Sequence, residues 1–313
     1  MTDLKAEVHK SEIYTQGYEK WEGDRAHHFP VWFLMGKTVL RNVVTPGGCL
    51  SRLLLIFGFV VPLAIYFFFA FISTLVLYQG ESLKDYALFR VAWDFVQQTG
   101  INLKSVVQSY VLGPSMIFIP LFMVFYGSQL ISKDKAANAM QVYFSKAISR
   151  TDYVLGKLFA VGVFTAITSL FPGAMILICG LLFTNDHVQY LADAWYLPIL
   201  IVVFWLMLTL VYGAITLLFS SFFNKSYMAA VAIVAFPMFC TVFSALLTAI
   251  FGSSGLFEGL NWYWSFWVLG SALFSLEVDS WSVIIWRAMD LVLISSIAFY
   301  MIYGKIKPVE VVS

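Results

Sequence analysis

One polar stretch, residues 132–157, separates two long apolar runs and reads SKDKAANAMQVYFSKAISRTDYVLGK. Residues 105–132 before it and 158–185 after it contain no Asp, Glu, Lys or Arg, and each run is long enough to cross a bilayer as a helix. The stretch itself carries five basic and two acidic residues, an excess that is typical of cytoplasmic loops. We therefore predict a cytosolic loop between two membrane spans, and we call residues 132–157 the polar island.

The polar island is predicted to contain a short helix, followed by the start of the next span. Residues 134–144 include neither Gly nor Pro, and Ser132 precedes them as a candidate N-cap. Ser149 and Asp152 then have the S-x-x-D spacing of a helix start, which places Lys157 near the water boundary. An apolar stripe at helical spacing along the short helix consists of Ala136, Met140, Tyr143 and Phe144.

The second half of the polar island resembles a segment of the ABC type-2 permeases, which are the membrane subunits of ATP-driven exporters. In those permeases a short coupling helix is followed by a segment of the form S-x-P-I-S-R, an acidic-aromatic step, and Gly-Lys at the entry to the third span. The matching residues are Ser145, Ile148, Ser149, Arg150, Asp152, Tyr153, Gly156 and Lys157. Ala147 stands where the family usually has proline. The order of apolar and polar segments along nearly the whole chain is compatible with the same family.

The resemblance implies that the polar island is a coupling loop for separate ABC ATPase subunits. The residues that it assigns to this coupling site are Asp134, Met140, Tyr143, Phe144, Ile148, Ser149 and Arg150. It also implies a second permease subunit, identical or paralogous, and no cofactor on this chain, because ATP and magnesium bind to the ATPase. Taken without the resemblance, the short helix could simply cover the cytosolic end of a helix bundle.

Composition places the chain among integral membrane proteins. Of its 313 residues 60% are hydrophobic and 12% charged, and the mean hydropathy is +0.82, whereas soluble proteins carry roughly a quarter charged residues. A net charge of +1 gives no reason to expect nucleic acid as a partner. The cysteines at 49, 179 and 240 have no metal-ligand spacing and predict no disulfide framework.

The predicted fold is an all-α membrane protein with six transmembrane helices in residues 50–304. The six spans are expected at about 53–78, 106–131, 158–183, 196–222, 227–251 and 282–303. Residues 1–29 and 305–313 are predicted as cytosolic tails. In this topology fifteen basic residues lie inside and three outside, which predicts that both termini are cytosolic. The resemblance to ABC type-2 permeases implies a multi-pass protein of the bacterial inner membrane.

Residues 30–46 are predicted as an interfacial elbow helix on the inner leaflet, as in ABC type-2 permeases. One side of this helix carries Trp32, Phe33, Met35, Val39, Leu40 and Val43, and the other carries Lys37, Thr38, Arg41 and Asn42. Val31 and Leu34 fall on the polar side. The GKT triplet at 36–38 is not a P-loop, because Val31 stands where the first glycine should be and no strand precedes it.

Residues 252–281 have two interpretations. An aromatic cluster of the kind found at lipid headgroups consists of Trp262, Tyr263, Trp264, Phe266 and Trp267. We predict an external re-entrant hairpin that dips into the outer leaflet, as ABC type-2 permeases have before their last span. The alternative makes residues 259–276 a seventh span, which would place Lys305 and Lys307 outside, against the charge rule.

Arg287 and Asp290 form an intramembrane charged pair, three residues apart on one face of the sixth span. Ionisable residues within a membrane span are candidate functional sites, here for an external gate or a subunit contact. The structural alternative is that Arg287 extends to the outer surface or neutralises Asp290.

Non-catalytic transport is the predicted function class. The four histidines lie outside the spans, and no Cys pair or intramembrane carboxylate cluster is available to hold a metal or to activate water. We predict the permease subunit of an ABC exporter. A secondary transporter would need ionisable coupling residues at mid-membrane beyond Arg287 and Asp290. A membrane assembly subunit without transport activity is the third hypothesis.

Overall fold

The computed structural model describes residues 30–44, 53, 56–145, 148–252, 255–275 and 281–306. Every regular element in these ranges is a helix. Predictions about the tail 1–29, about Cys49 and Ala147, and about residues 307–313 concern positions outside the described residues.

Six helices in the described part of the chain are long and apolar enough to cross a membrane. They run over Ile56–Leu83, Leu103–Ala136, Arg150–Phe183, His187–Phe222, Ser226–Phe251 and Trp281–Lys305, and we call them spans one to six. Their number and order confirm the six-span prediction. Span four begins earlier than predicted, because a short helix, His187–Ala194, occupies the expected turn. A further helix, Ala87–Thr99, lies between spans one and two.

Spans two and four form the centre of the bundle. In the most apolar segment of span two, 61% of the residues are buried inside the protein, and in that of span four 56% are buried. In span five the buried share is only 11%. Leu112 of span two and Phe204 and Leu208 of span four are fully enclosed. Span five therefore lies at the periphery, with most of its apolar surface uncovered.

The helix Val31–Val44 has the two faces that its sequence predicts. The six apolar side chains of the predicted inner side are partly or fully buried, whereas Lys37, Thr38, Arg41 and Asn42 are exposed. The helix packs along the first turns of span three. Its location on the inner leaflet stays a prediction.

Two glycines allow this helix to lie close to span three. A Cβ atom added to Gly156 would lie 2.8 Å from the Cβ of Met35 and 2.8 Å from the carbonyl oxygen of Trp32. A Cβ atom on Gly36 would lie 2.9 Å from the carbonyl oxygen of Gly156 and would also collide with the ring of Phe159. The glycine of the GKT triplet is thus explained by helix packing.

Adding one methyl group at this contact is expected to destabilise the protein. We expect Gly156→Ala to cost about 1–3 kcal/mol, the usual range for overpacking a tight contact, and to lower Tm by several degrees. Gly304→Ala is the matched control, because a Cβ atom there meets no atom within 4 Å. Equal Tm values for the two variants in a thermal unfolding scan would contradict the close approach.

Residues 255–275, which we call the hairpin, form the two helices Gly255–Gly259 and Trp262–Ser275. The second has 14 residues, so it is about 21 Å long, shorter than the roughly 30 Å hydrocarbon core. Within the described residues it packs against spans two, four, five and six and is not one of the six long apolar helices. Its re-entry from the outer leaflet stays a prediction.

The aromatic cluster of the hairpin is divided between core and surface. Trp262 and Phe266 are buried and pack on the ring of Tyr212 in span four, at centroid distances of 5.3 and 5.0 Å. Trp264 is exposed and stacks on Trp267. The prediction of a surface belt is therefore wrong for Trp262 and Phe266, because the helix turns these two rings inward.

Candidate functional site

The polar island folds as two short helices, Ser132–Ala136 and Ala139–Ser145, and not as the single helix predicted over 134–144. The helix is interrupted at Asn138, whose φ is 52°. Asparagine tolerates this left-handed conformation better than most residues, because its short polar side chain can hydrogen-bond locally. The interruption separates a charged first helix from an apolar second helix. Ala136 is therefore exposed and does not share the predicted apolar stripe with Met140, Tyr143 and Phe144.

Ser132 is not the helix cap that its position suggested. It is fully buried, and its hydroxyl donates to the carbonyl oxygen of Ser128 at 2.6 Å. At the end of span four, the hydroxyl oxygen of Ser220 accepts from the backbone N–H groups of Ile131 and Ser132 at 2.8 and 3.0 Å. These bonds attach the first helix of the island to span four.

A buried ion pair attaches the same helix to span three. Lys157 Nζ lies 2.7 Å from Asp134 Oδ2, and the hydroxyl of Tyr153 donates to that oxygen at 2.8 Å. Lys157 is 5% exposed and Tyr153 is fully buried. Lys157 is therefore enclosed by the protein, and its position near the water boundary stays a prediction. It is buried because the Asp134 carboxylate supplies the opposite charge that a desolvated ammonium group requires.

The second helix of the island contacts span three through aromatic rings. The ring centroids of Tyr143 and Phe144 lie 6.0 and 5.9 Å from that of Tyr153. Burial and the nearby Asp134 carboxylate raise the pKa of the Tyr143 phenol, so it stays protonated at neutral pH. Both helices of the island thus converge on the first two turns of span three.

The seven residues predicted for the coupling site fall into two groups. The half-buried group, which faces the bundle, consists of Asp134, Met140, Tyr143, Phe144 and Ile148. Ser149 and Arg150 are exposed. The hydroxyl oxygen of Ser149 accepts from the backbone N–H of Asp152 at 3.0 Å, which confirms the predicted helix start. Gln141 and Val142, which the sequence analysis did not select, are exposed on the second helix.

Arg287 of span six bonds to the hairpin. Its Nη2 atom lies 2.9 Å from Glu258 Oε2, and its Nη1 donates to the hydroxyl of Ser265 at 3.3 Å. Because Arg287 is 6% exposed, it does not extend to the surface. Its ion-pair partner is Glu258 and not Asp290, contrary to one of the structural alternatives. Sequence reasoning missed Glu258, because it lies 29 positions before Arg287 and no local pattern connects the two residues.

Asp290 lies against the hairpin at Gly259. A Cβ atom at Gly259 would collide with Asp290 Oδ2, so the Asp290 side chain packs directly on the glycine backbone. Among the described residues, neither Asp290 Oδ2 nor Arg287 Nε has a hydrogen-bond partner, although both atoms are buried. Span six thus presents an unpaired acceptor and an unpaired donor three residues apart, next to the hairpin.

Comparison with known proteins identifies the family of this chain. A family model described as ABC-2 family transporter protein matches residues 48–256, more than half of the chain. The matched region contains spans one to five and the whole polar island. A search of curated proteins gave no match. From this family match, the chain belongs to the ABC-2 transporter family.

Proposed function

We propose that this chain is the permease subunit of an ABC exporter, which forms the substrate pathway and takes its energy from ATPase subunits docked at the polar island. Membership of the ABC-2 family supports a multi-pass transporter permease within an ABC system. The observation that supports the coupling role is the group formed by Asp134, Lys157 and Tyr153, because it links the first helix of the island to the start of span three.

Force is transmitted in this proposal through contacts that are already packed. The ATPase binds to exposed residues of the island such as Gln141 and Arg150. Displacement of the island then reaches span three through the Asp134–Lys157 ion pair and the ring contacts at Tyr153. Close-packed interiors move as units rather than deforming continuously, so span three follows the island.

The proposed orientation places the polar island and both termini in the cytosol. The island and the helix Val31–Val44 then lie at the same membrane face, where the exposed Lys37 and Arg41 meet anionic headgroups and the helix serves as the elbow. The hairpin lies at the opposite face, as a re-entrant element of the outer leaflet in a bacterial inner membrane.

We assign the uncovered face of span five to the second permease subunit. Val231, Met238 and Val242 are each more than half exposed, and they recur at helical spacing on this span. In lipid, the packing of side chains between helices, rather than the exclusion of water, drives the association of subunits. In this proposal the second permease subunit is either an identical copy of this chain or a paralogue.

Variants of the island should separate docking from transmission. We expect Gln141→Ala with Arg150→Ala to reduce the amount of ATPase that co-purifies, because both side chains are exposed. Tyr143→Ala should keep the ATPase bound but lower the amount transported per ATP several-fold, because Tyr143 faces Tyr153. Co-purification followed by transport in proteoliposomes measures both effects.

The matched control is Lys84→Ala with Gln189→Ala, two exposed residues at the other end of the bundle. This control should bind the ATPase and transport normally. Full ATPase binding and transport by the Gln141/Arg150 and Tyr143 variants would contradict the proposed docking site.

A secondary transporter is the second candidate, and one observation favours it. Glu258, Arg287 and Asp290 bring three ionisable groups together between the hairpin and span six, one more than the sequence indicated. Transport by the purified chain alone, driven by a proton gradient and without an ATPase, would select this candidate.

A further inference from the structure

A cavity of about 640 Å³ lies at the end of the bundle opposite to the polar island. Its wall includes Tyr78 at the end of span one, Lys104 in the first turn of span two, and residues from the short helix His187–Ala194 to Tyr196 in span four. Its volume falls within the roughly 300–1,000 Å³ that is usual for small-molecule sites.

The wall of this cavity carries charges of both signs. Lys104 of span two is half-buried, and Asp193 in the last turn of the short helix is exposed, so a ligand can reach both side chains. Neither side chain has an ion-pair partner among the described residues. Opposite charges that share a cavity without neutralising each other are complementary to a ligand that itself carries both charges.

Aromatic rings of the same wall lie next to each charge. Lys104 Nζ lies 5.5 Å from the centroid of the Tyr196 ring. The Asp193 carboxylate interacts electrostatically with the phenol of Tyr78, whose ring packs on that of Tyr190 at a centroid distance of 5.8 Å. The cavity thus has a cationic side at Lys104 and an anionic, aromatic side at Asp193 and Tyr78. An ammonium group is attracted both by a carboxylate and by an aromatic face.

The cavity lies where the spans reach the surface of the membrane. Lys104 directly follows Leu103, with which the helix of span two begins. Trp195 is 66% exposed, and its ring lies 6.1 Å from that of Tyr196 in the cavity wall. Exposed tryptophan and tyrosine side chains are typical of the headgroup layer. The zwitterion that this layer supplies is the headgroup of a phospholipid.

We propose that this cavity binds the zwitterionic headgroup of a phospholipid, with its phosphate at Lys104 and its ammonium group at Asp193 and Tyr78. In the proposed orientation this lipid belongs to the outer leaflet. The site requires neither the ATPase nor a direction of transport, so its test is independent of the coupling proposal.

The test is native mass spectrometry of the purified chain in a neutral detergent, titrated with phosphatidylethanolamine. Wild-type protein should bind a first lipid molecule more tightly than further ones. Phosphatidylglycerol has the phosphate but no ammonium group, and it should bind at least about threefold more weakly at this site. Lys104→Gln and Asp193→Asn each remove one charge, and each should raise the Kd of phosphatidylethanolamine about three- to tenfold.

The matched controls are Lys84→Gln and Asp94→Asn, which remove exposed charges at the same membrane face but outside the cavity wall. Both should leave the Kd unchanged. The Tm of lipid-free Lys104→Gln and Asp193→Asn should equal that of wild type, because neither change breaks an ion pair among the described residues. This separates loss of lipid binding from loss of folding.

A soluble competitor distinguishes a lipid from a free zwitterion. Glycerophosphoethanolamine has the same headgroup but no acyl chains, so it should displace the lipid only at concentrations about a hundredfold higher or more. Displacement at equal concentration would make the ligand a soluble zwitterion and overturn the proposal. Absence of a tighter first site, equal Kd values for the two lipids, or unchanged Kd values in Lys104→Gln and Asp193→Asn would overturn it as well.

Discussion

Lys157→Met is expected to abolish energy coupling while leaving the protein able to insert into the membrane. The change leaves the Asp134 carboxylate partly buried without its cation, and breaking a buried ion pair in this way costs about 3–5 kcal/mol. Tm should fall, and the assembled complex should hydrolyse ATP with at least about tenfold less transport, because the island is no longer held to span three. Parallel assays of Tm, ATP hydrolysis and transport measure this.

Two further variants show whether the ion pair is the cause. Lys133→Met removes an exposed charge of the same helix and should behave like wild type. The double variant Asp134→Asn with Lys157→Met leaves no unpaired buried charge, so its Tm should recover towards that of wild type. If Lys133→Met and Lys157→Met have the same effect, the buried pair is not the link between the island and span three.

Glu258→Gln with Asp290→Asn is expected to prevent stable folding, although each single change is tolerated. In Glu258→Gln the guanidinium of Arg287 can turn to Asp290, whose Oδ2 has no partner among the described residues. Asp290→Asn alone should change Tm little, since Arg287 keeps Glu258. The double variant leaves the buried Arg287 without a counter-charge among the described residues, which costs more than the two single effects together.

A double-mutant cycle on Tm and on the yield of monodisperse protein measures this coupling. Glu258→Gln should in addition loosen the hairpin from span six, which hydrogen exchange of residues 255–275 would detect. If the double variant shows only the sum of the single effects, Asp290 is not the alternative partner of Arg287.

Local sequence signals were sufficient to predict the six spans and several helix ends. A long apolar run that crosses a membrane can do so as a helix, because a helix pairs its own backbone groups where lipid offers none, and this allowed the six spans to be predicted. The faces of Val31–Val44 followed from periodicity, and the Ser149 cap followed from its spacing to Asp152. Each of these features depends on residues within a few turns of one another.

Features that depend on distant residues were not predictable in this way. The burial of Lys157 was not predicted, because its partner Asp134 lies 23 positions earlier and on another helix. Glu258 and Arg287 are 29 positions apart. The inward turn of Trp262 and Phe266 did have a local signal that was overlooked, namely their i, i+4 spacing, which places them on one helical face away from Trp264.

Attachment of an ATPase to the polar island can be tested by photocrosslinking in intact cells. Benzoylphenylalanine is placed at Gln141, on the exposed side of the island, and separately at Val188, which is 80% exposed at the opposite end of the bundle. We expect Gln141 to capture a P-loop ATPase, identified by mass spectrometry, and Val188 to capture none. Capture of the ATPase from Val188, or its absence from Gln141 in a complex that co-purifies with it, would contradict the proposed coupling.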